Sequence, residues 1–536
     1  MRRLRRSMCG LVLAGACALP GAAEAAAPAW FSYTRAAEYG AKTTSVRVPM
    51  RDGTKLGCFL SVPASGGKAA PGTFPGIVYE VTPYDALSLV YVSHGEWYAR
   101  RGYQALLCNV RGTGRSGGSF PHNNQPREWE DSYDIVEWLA GHPGSNGRIG
   151  QEGESYGGMT SYQAAVMRPP HLVAVAPQQA PTDLYEDDIY PGGIKRTPIS
   201  ADWWPLAASA ASLGRISFAR VWGAWLRHPR HDAFWDGVAI GPKLDRVEVP
   251  VLAVGGWDDP LFRRGSLRNY EELMRAGHSS KTWLVYGPWE HSTVVGWPAC
   301  VGPPICVKHE RLPVGALLAW FDHWLKELPD APLPSAHVTT YEGPWGSGGR
   351  GWEEHEAWPP ADAAPVDLPL RADGGLGGDP GAAGTSSFTQ RPTDGLRGET
   401  ERVEFATAPL AVDRVLAGDI ELTLRARYSA GDANLHAVLL ERRADGSVRR
   451  VNDGWLRVSH RESSVTPTRV RAGEDVTLKM EIWPVHRRVP AGAQLVLRVS
   501  GGSVTHGVPQ PRPVRTDVAT GAGGSSLRLM VRGGGL

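Results

Sequence analysis

The chain has 536 residues, of which 42% are hydrophobic and 21% are charged. This composition is typical of globular proteins and argues against an intrinsically disordered chain. At roughly 150 residues per domain, the length allows about two to four domains. The formal net charge of +2 gives no excess of basic residues of the kind that nucleic-acid binding requires, so we expect no nucleic-acid partner.

The first 25 residues have the pattern of a secretory signal peptide. Four arginines precede a short apolar run at residues 7–19, and an A-x-A cleavage site follows at residues 23–25. The apolar run is too short to span a bilayer, so we expect cleavage rather than stable membrane insertion. Removing residues 1–25 removes four Arg and one Glu and changes the formal net charge from +2 to −1. We therefore expect a secreted or periplasmic protein, with a retained anchor or a lipid at Cys17 as alternatives.

Four cysteines remain after the signal peptide. Cys300 and Cys306 flank a turn-rich V-G-P-P-I segment, so we predict a local disulfide between them. Cys58 and Cys108 lie in apolar, strand-like segments and are interpreted as buried free thiols. The sequence has no C-x-x-C pair and no histidine cluster at metal-binding spacing, so no bound metal is expected.

Strand-length apolar segments alternate with helical patterns between residues 44 and 180. Residues 44–48 and 55–62 are predicted to form a hairpin that turns at Arg51-Asp52-Gly53. Alternating strands and helices indicate a parallel sheet with helices on its faces. The sequence therefore predicts an α/β domain over residues 26–335.

Changes in pattern predict a helical insertion and a second domain. Residues 185–245 have few strand signals and many aromatic residues at helical spacing, which indicates a helical cap inserted into the α/β domain. After Pro329 the helical signal fades, and polar and apolar residues alternate in several short segments. We predict a C-terminal, jelly-roll-like β-sandwich over residues 336–536, with the glycine-rich stretch 373–384 as a loop or linker.

The glycine-rich segment N-V-R-G-T-G-R-S-G-G at residues 109–118 contains a formal G-x-G-x-x-G. In a dinucleotide-binding site the third glycine opens a helix whose N-terminus faces the phosphates. Here Gly117 is followed by two prolines and two asparagines within nine residues, a composition typical of loops. We therefore interpret this segment as structural and expect no bound nucleotide.

The strongest chemical signal is G-E-S-Y-G, which places Ser155 between Gly153 and Gly157. It follows a short predicted strand and precedes a helical pattern that begins near Met159. This context is typical of a nucleophile elbow, in which the serine lies on a tight strand-to-helix turn and flanking glycines permit close backbone approach. Ser155 is therefore a candidate nucleophile.

Candidate partners for Ser155 follow two later strands. One strand leads to Asp258 and Asp259, and the next leads to His291. A serine hydroxyl needs a base to take its proton, and the base needs an acid to fix its tautomer. The order serine, acid, histidine is that of α/β-hydrolases. The sequence therefore predicts a Ser-His-Asp triad, in which either aspartate can be the acid.

Together these motifs resemble a family of serine hydrolases that includes cocaine esterase, α-amino acid ester hydrolases, glutaryl acylases and X-prolyl dipeptidyl-peptidases. The resemblance covers nearly the whole mature chain and is based on the following motifs: M-R-D-G, T-P-Y, R-G-x-G-x-S-x-G, G-x-S-Y-x-G, P-P, G-W-x-D, G-P-W-x-H and F-D-x-W-L. It implies an α/β-hydrolase core with Ser155 as the nucleophile and His291 as the base. It also implies that Asp259, rather than Asp258, is the acid.

The resemblance implies further roles. The Tyr84 hydroxyl and the Tyr156 backbone N–H would form the oxyanion hole, although Tyr84 could instead pack under a loop. Arg111 would link loops next to the glycine-rich segment. The strand before the elbow is usually apolar in this fold, so Gln151 and Glu152 leave its depth in the sheet open.

The expected substrate is a small ester, an amide or a short peptide, cleaved through an acyl-enzyme without a cofactor. The pocket is expected between the α/β domain and the cap, with walls from Trp257, Trp289, Trp203 and Trp204. Asp187 and Asp188 could hold a substrate ammonium group or form a solvated helix start. The alternatives are an X-prolyl dipeptidyl aminopeptidase and a non-catalytic binding protein with a vestigial triad. The sequence does not determine the oligomeric state.

Overall fold

The computed structural model describes residues 27–85, 88–197, 209–210, 212, 214–262, 264–291, 295–296, 312–343, 351–394, 400–502, 504 and 507–536. The predicted signal peptide with Cys17, and also Trp203, Trp204, Cys300 and Cys306, lie outside these residues. The described residues form an N-terminal α/β unit and a C-terminal unit made mainly of strands.

The N-terminal unit is built on one 11-stranded mixed sheet. The strands of this unit, in chain order, are β1 (Gly40–Pro49), β2 (Lys55–Ser65), β3 (Lys68–Ala69), β4 (Phe74–Thr82), β5 (Gln104–Asn109), β6 (Ser145–Glu154), β7 (Leu172–Gln178), β8 (Val251–Gly256), β9 (Thr282–Gly287), β10 (Val295–Gly296), β11 (Leu312–Pro313), β12 (Val338–Glu342) and β13 (Gly351–His355). Spatial order in the sheet is β1-β2-β5-β4-β6-β7-β8-β9-β12-β13, with β3 on β2, while β10 and β11 pair separately. Neighbours from β5 to β12 are parallel, and β1, β2 and β13 are antiparallel to their neighbours.

Helices cover the sheet. They are α1 (Ser88–Ala99), α2 (Pro126–Ala140), α3 (Tyr156–Met167), α4 (Phe218–Arg227), α5 (Ala233–Val238), α6 (Gly265–Arg275) and α7 (Val314–Lys326). The sequence explains α2 well, because Pro126 suits a first helical turn and Ile135, Val136 and Leu139 are buried along one face. In the described part of the chain, no helix has the length and apolar character needed to cross a bilayer.

Strand β6 lies in the middle of the sheet, between β4 and β7. Its two polar residues, Gln151 and Glu152, are both fully buried. Glu152 is accommodated because its carboxyl oxygens accept hydrogen bonds from the Tyr98 hydroxyl and from Gln178 Nε2, each at 2.8 Å. The strand before the elbow is therefore central despite its polar residues.

The segment between β7 and β8 contains α4, α5 and short helical turns at Tyr185–Ile189, Pro191–Gly193 and Gly241–Arg246. Its aromatic residues are packed together, with Tyr185 stacked on Tyr190 and Trp235 placed edge-on to Tyr185. These contacts give the insertion a buried aromatic centre, in agreement with the predicted helical cap.

The C-terminal unit consists of two antiparallel sheets. Its strands are β14 (Ala363–Pro369), β15 (Gly384–Gln390), β16 (Arg402–Ala406), β17 (Arg414–Tyr428), β18 (Asn434–Arg442), β19 (Val448–Arg457), β20 (Asp475–Val489), β21 (Gln494–Ser500), β22 (Val514–Thr520) and β23 (Ser526–Arg532). One sheet has the order β14-β23-β17-β22-β15 with β20 on β17, and the other has the order β16-β21-β18-β19. Alternate residues of both sheets form one apolar core, as expected for a sandwich.

The two units are joined at β12 and β20. The Gly343 N–H donates to the His486 carbonyl and the Arg488 N–H donates to the Gly343 carbonyl, each at 2.9 Å. The Arg488 guanidinium donates to both carboxyl oxygens of Glu342, at 2.7 and 3.2 Å. Strands β12 and β13 follow residue 335, where the sequence places the start of the sandwich, but both belong to the N-terminal sheet.

Candidate active site

Ser155 lies at the turn between β6 and α3. Its backbone has φ 58° and ψ −110°, an unusual conformation for an L residue that costs roughly 1–3 kcal/mol. The Ser155 N–H donates to the Gln178 carbonyl at 2.9 Å, which ties the turn to β7. The segment thus forms the strand, tight turn and helix that its sequence predicts.

The glycines around Ser155 leave space for neighbouring groups. A Cβ added to Gly153 would lie 2.7 Å from Gly157 Cα. A Cβ on Gly157 would collide with the carboxyl group of Glu80, and a Cβ on Gly158 would collide with the Gln178 carbonyl. Larger residues at these three positions would therefore force the turn open.

The loops after β8 and β9 are held side by side. The Trp257 N–H donates to the Gly287 carbonyl at 2.9 Å, and the Asp258 N–H donates to the Trp289 carbonyl at 3.1 Å. The first loop carries Asp259 and the second carries His291. Because both loops follow neighbouring parallel strands, these side chains meet at the same edge of the sheet as Ser155.

Ser155, His291 and Asp259 form a continuous hydrogen-bonded chain. His291 Nε2 lies 2.9 Å from Ser155 Oγ, and His291 Nδ1 lies 3.0 Å from Asp259 Oδ2. An ionised carboxylate only accepts hydrogen bonds, so Nδ1 carries the proton and the Nε2 lone pair faces the serine hydroxyl. The neighbouring Asp258 is exposed, so Asp259, and not Asp258, is the aspartate that faces the imidazole.

The surroundings of this chain favour an ionised Asp259. Burial raises the pKa of the Asp259 carboxyl, but His291 and the backbone N–H groups of Leu261 and Phe262 outweigh burial and lower it. Those two N–H groups donate to Asp259 Oδ1 at 2.7 and 3.0 Å. Burial lowers the pKa of His291, but the Asp259 carboxylate and two other nearby acids together outweigh burial and raise it. The imidazole is therefore prepared to receive a proton.

Tyr84 and Tyr156 lie beside the elbow. Tyr156 is the first residue of α3, and N–H groups in the first turn of a helix do not have helical carbonyl partners. Its side chain is anchored away from that turn, since the hydroxyl donates to Glu128 Oε2 at 2.6 Å and accepts from the Asn124 N–H at 3.0 Å. The Tyr84 ring lies edge-on to the Tyr156 ring, with centroids 6.4 Å apart.

Two buried glutamates support the elbow from behind. Glu80 on β4 lies against Gly157, and its Oε2 accepts a hydrogen bond from the Glu154 N–H at 3.4 Å. Burial raises the pKa of Glu152 to about 8 and that of Glu80 well above its ordinary value. Burial therefore favours the neutral form of both carboxyl groups. Glu152 is recognisable in the sequence as a polar residue before the elbow, whereas Glu80 is not predicted from the sequence as part of the site, although it is a lone acid in an otherwise apolar strand.

The predicted pocket tryptophans that the structure describes are buried. Trp257 is 7% exposed and packs against Tyr286 and Trp358, and its Nε1–H donates to the Tyr341 carbonyl at 3.1 Å. Trp289 is 3% exposed and contacts Trp352. Both indoles are thus accounted for by core packing, and their role as pocket walls stays a prediction.

Asp187 and Asp188 are also buried, so the expected solvated helix start is wrong. Asp187 accepts hydrogen bonds from the Thr182 N–H at 2.7 Å and from Arg268 at 3.2 Å. Asp188 accepts one from Arg196 at 3.0 Å. These two arginines compensate the charge of the buried carboxylates.

The structure contradicts one prediction about the cysteines. Cys58 on β2 and Cys108 on β5 form a disulfide with an S–S distance of 2.07 Å. The two residues lie directly opposite each other in the antiparallel pairing of these strands, where facing side chains are close enough to bond. The free-thiol interpretation failed because it treated each strand separately. The Cys300–Cys306 disulfide lies outside the described residues and stays a prediction.

The glycine-rich loop is structural, as expected. The Arg111 guanidinium donates to Asp131 Oδ2 at 2.7 Å and to Asp52 Oδ2 at 3.0 Å. Ser116 Oγ donates to the Asn109 carbonyl at 2.6 Å and accepts from the Gly57 N–H at 2.9 Å. These bonds connect the loop to β2 and to α2.

Two family models match the chain. The first is described as X-Pro dipeptidyl-peptidase (S15 family) and matches residues 52–218 and 206–293. The second is described as the X-Pro dipeptidyl-peptidase C-terminal non-catalytic domain and matches residues 335–528. The chain thus combines an S15-family domain with the C-terminal domain of X-Pro dipeptidyl-peptidases. It is therefore a serine hydrolase, as the sequence predicts.

Individual relatives of this S15 protein agree with the assignment. The cocaine esterase of Rhodococcus sp. (strain MB1 Bresler) is 26% identical over 86% of this chain and 90% of its own. An aminopeptidase from the marine sediment archaeon Thaumarchaeota archaeon has a TM-score of 0.75 at 22% identity, covering 93% of this chain and 98% of that one. An α-amino acid ester hydrolase has a TM-score of 0.75 at 21% identity, with the same coverage. The two structural likenesses confirm the predicted α/β-hydrolase core with a C-terminal β domain.

Proposed function

We propose that this S15 protein cleaves a small ester or amide through an acyl-enzyme formed on Ser155. The observation that carries the proposal is the hydrogen-bonded chain from Asp259 through His291 to Ser155 Oγ at a strained elbow. His291 Nε2 takes the serine proton as Oγ attacks the carbonyl carbon, and then returns it to the leaving group. Water, activated by the same imidazole, releases the acid and restores the serine.

The oxyanion of the tetrahedral intermediate is assigned to the Tyr156 backbone N–H and the Tyr84 hydroxyl. The Tyr156 N–H lies at the start of α3, where the helix dipole also favours negative charge. The buried Glu128 and Asn124 hold the Tyr156 side chain, so this N–H is fixed before substrate binds. A fixed donor aimed at developing charge contributes roughly 3 kcal/mol to transition-state stabilisation.

Among substrates, the arginine partners of the cap carboxylates favour esters and amides without a free amino terminus. Asp187 and Asp188 already pair with Arg268 and Arg196, so a substrate ammonium group would have to compete with a guanidinium. An X-prolyl dipeptidyl aminopeptidase is the second candidate, supported by the description of the S15 family model.

The test is fluorophosphonate labelling of the purified protein together with turnover of p-nitrophenyl esters and of an Ala-Pro p-nitroanilide. Ser155→Ala should abolish labelling and turnover, while Ser119→Ala, which changes an exposed serine, should leave both unchanged. Faster cleavage of the Ala-Pro amide than of the esters would favour the aminopeptidase. A folded wild-type protein that is not labelled would contradict both and favour a binding protein with a vestigial triad.

We also propose that the protein is exported and acts outside the cytoplasm. Residues 1–25 have the signal-peptide pattern, and the buried Cys58–Cys108 disulfide is a bond that persists in oxidising compartments. Cell fractionation with N-terminal sequencing should give a mature protein beginning at Ala26. A lipid-modified N-terminus at Cys17 would indicate an anchored form, and an uncleaved cytoplasmic protein would contradict export.

A further inference from the structure

Three side chains meet where the two units join. Glu353 and His355 lie on β13 at the edge of the N-terminal sheet, and His486 lies on β20 of the sandwich. One potential ligand atom from each residue lies within 4.8 Å of the other two. The cluster lies near the backbone bonds between Gly343 and β20, so the adjacent main chain holds it in position.

Each of the two imidazoles has one nitrogen atom that the described part of the structure leaves without a hydrogen-bond partner. Nε2 of His355 and Nε2 of His486 are both buried and have no hydrogen-bond partner among the residues that the structure describes. His486 is only 1% exposed, and an unsatisfied polar atom in such a place is costly. Two such atoms in one cluster need a common explanation.

The rest of the cluster has the features of a metal site. His486 Nδ1 lies 2.9 Å from Thr340 Oγ1, and a hydrogen bond from Nδ1–H to that oxygen leaves the Nε2 lone pair for a metal. Glu353 Oε2 lies 3.7 Å from His355 Nε2 and supplies negative charge.

The charges around the cluster are compatible with a cation. Arg532 contacts Glu353 Oε2 at 2.6 Å, but the same guanidinium also pairs with Asp362 at 3.0 Å. Arg488 is paired with Glu342. Each arginine is thus compensated by a carboxylate outside the cluster, and Glu353 offers a carboxylate oxygen within 4.8 Å of a nitrogen of each imidazole.

We propose that Glu353, His355 and His486 bind a divalent transition-metal ion of the zinc class, which links the edge of the N-terminal sheet to the sandwich. Two imidazole nitrogens and one carboxylate oxygen are a donor set that zinc uses, with water in the fourth position. Metal–ligand distances of about 2.0–2.2 Å require the three side chains to move slightly closer together. The ion would satisfy both unpartnered nitrogens and fix the two units against each other.

The experiment is zinc titration of the full-length protein after treatment with EDTA and removal of the chelator. Isothermal titration calorimetry should detect stoichiometric Zn²⁺ binding, and zinc at saturation should raise Tm by at least about 2 °C. His355→Ala, Glu353→Gln and His486→Ala each remove one direct ligand of the ion. Each variant should weaken zinc binding by at least about 100-fold, because the loss of an outer-shell partner can already cost that much.

Matched variants make the result decisive. His171→Ala removes an exposed histidine remote in sequence, and His291→Ala removes the imidazole of the proposed triad, so both variants should bind zinc as the wild type does. His355 and Glu353 are only partly buried, so their variants remain informative if His486→Ala does not fold. Absence of zinc binding by the wild type would overturn the proposal, and so would binding that His355→Ala and Glu353→Gln leave unchanged.

Discussion

Replacement of Asp259 by asparagine tests the proposed mechanism at a single atom. Asp259 Oδ1 accepts two backbone N–H groups, those of Leu261 and Phe262, and Oδ2 faces His291 Nδ1. In Asp259→Asn the two backbone N–H groups need the amide oxygen as their acceptor, so the amide NH2 group faces the imidazole. Nδ1 must then accept a hydrogen bond, which moves the ring proton to Nε2. That tautomer cannot take the proton of Ser155.

The size of the effect follows from this change of tautomer. The equivalent substitution in a Ser-His-Asp protease lowers kcat by about 10⁴ with little change in geometry. At about 1.36 kcal/mol for each tenfold change, the loss corresponds to about 5.4 kcal/mol of transition-state stabilisation. Because the backbone hydrogen bonds at 2.7 and 3.0 Å are retained, thermal stability should change little.

The assay is kcat and KM for a p-nitrophenyl ester, with Tm measured on the same samples. The matched control is Asp258→Asn, which changes the exposed neighbouring aspartate and should retain wild-type activity. Activity of Asp259→Asn within tenfold of wild type would refute the tautomer argument. A large loss in Asp258→Asn instead would show that the acid had been assigned to the wrong residue.

Three further predictions concern the oxyanion hole, a buried acid and the disulfide. Tyr84→Phe should lower kcat by about 10²–10³ with little change in KM for the same ester, and a loss of less than threefold would remove Tyr84 from the oxyanion hole. The pKa of Glu152 rises from 4.5 to about 8 on folding, so its contribution to stability is complete below pH 4.5 and is lost as the pH rises to about 8. Between pH 4.5 and about 8, the unfolding free energy from urea titrations should therefore fall less steeply with pH in Glu152→Gln than in the wild type, by up to about 1.4 kcal/mol per pH unit. An unchanged slope would contradict the raised pKa of Glu152. The disulfide closes a 50-residue separation, and Cys58→Ala together with Cys108→Ala should lower the unfolding free energy by about 4 kcal/mol. If the two cysteines were reduced in the native protein, adding reductant would leave the wild-type Tm unchanged, which would contradict this prediction.

The local sequence alone predicted much of the architecture. Alternating strand and helix patterns predicted the α/β core, and the loss of strand signals over residues 185–245 predicted the helical cap. Alternation of polar and apolar residues with a period of two predicted the sandwich. It also predicted that Ser155, Asp259 and His291 follow three strand ends. These features are accessible because periodicity, turn composition and the position of a residue at a strand end are local properties.

Tertiary structure decided what depends on the pairing of distant segments. The sheet register places Cys58 opposite Cys108, although neither local sequence contains a signal for a disulfide. The carboxylates of the cap are buried because Arg196 and Arg268 fold against them. Likewise, His355 and His486 meet only because β20 packs beside β12 and β13. Strand order, register and packing arise from the whole chain, so the partners of a buried charge, thiol or imidazole cannot be deduced from local sequence patterns.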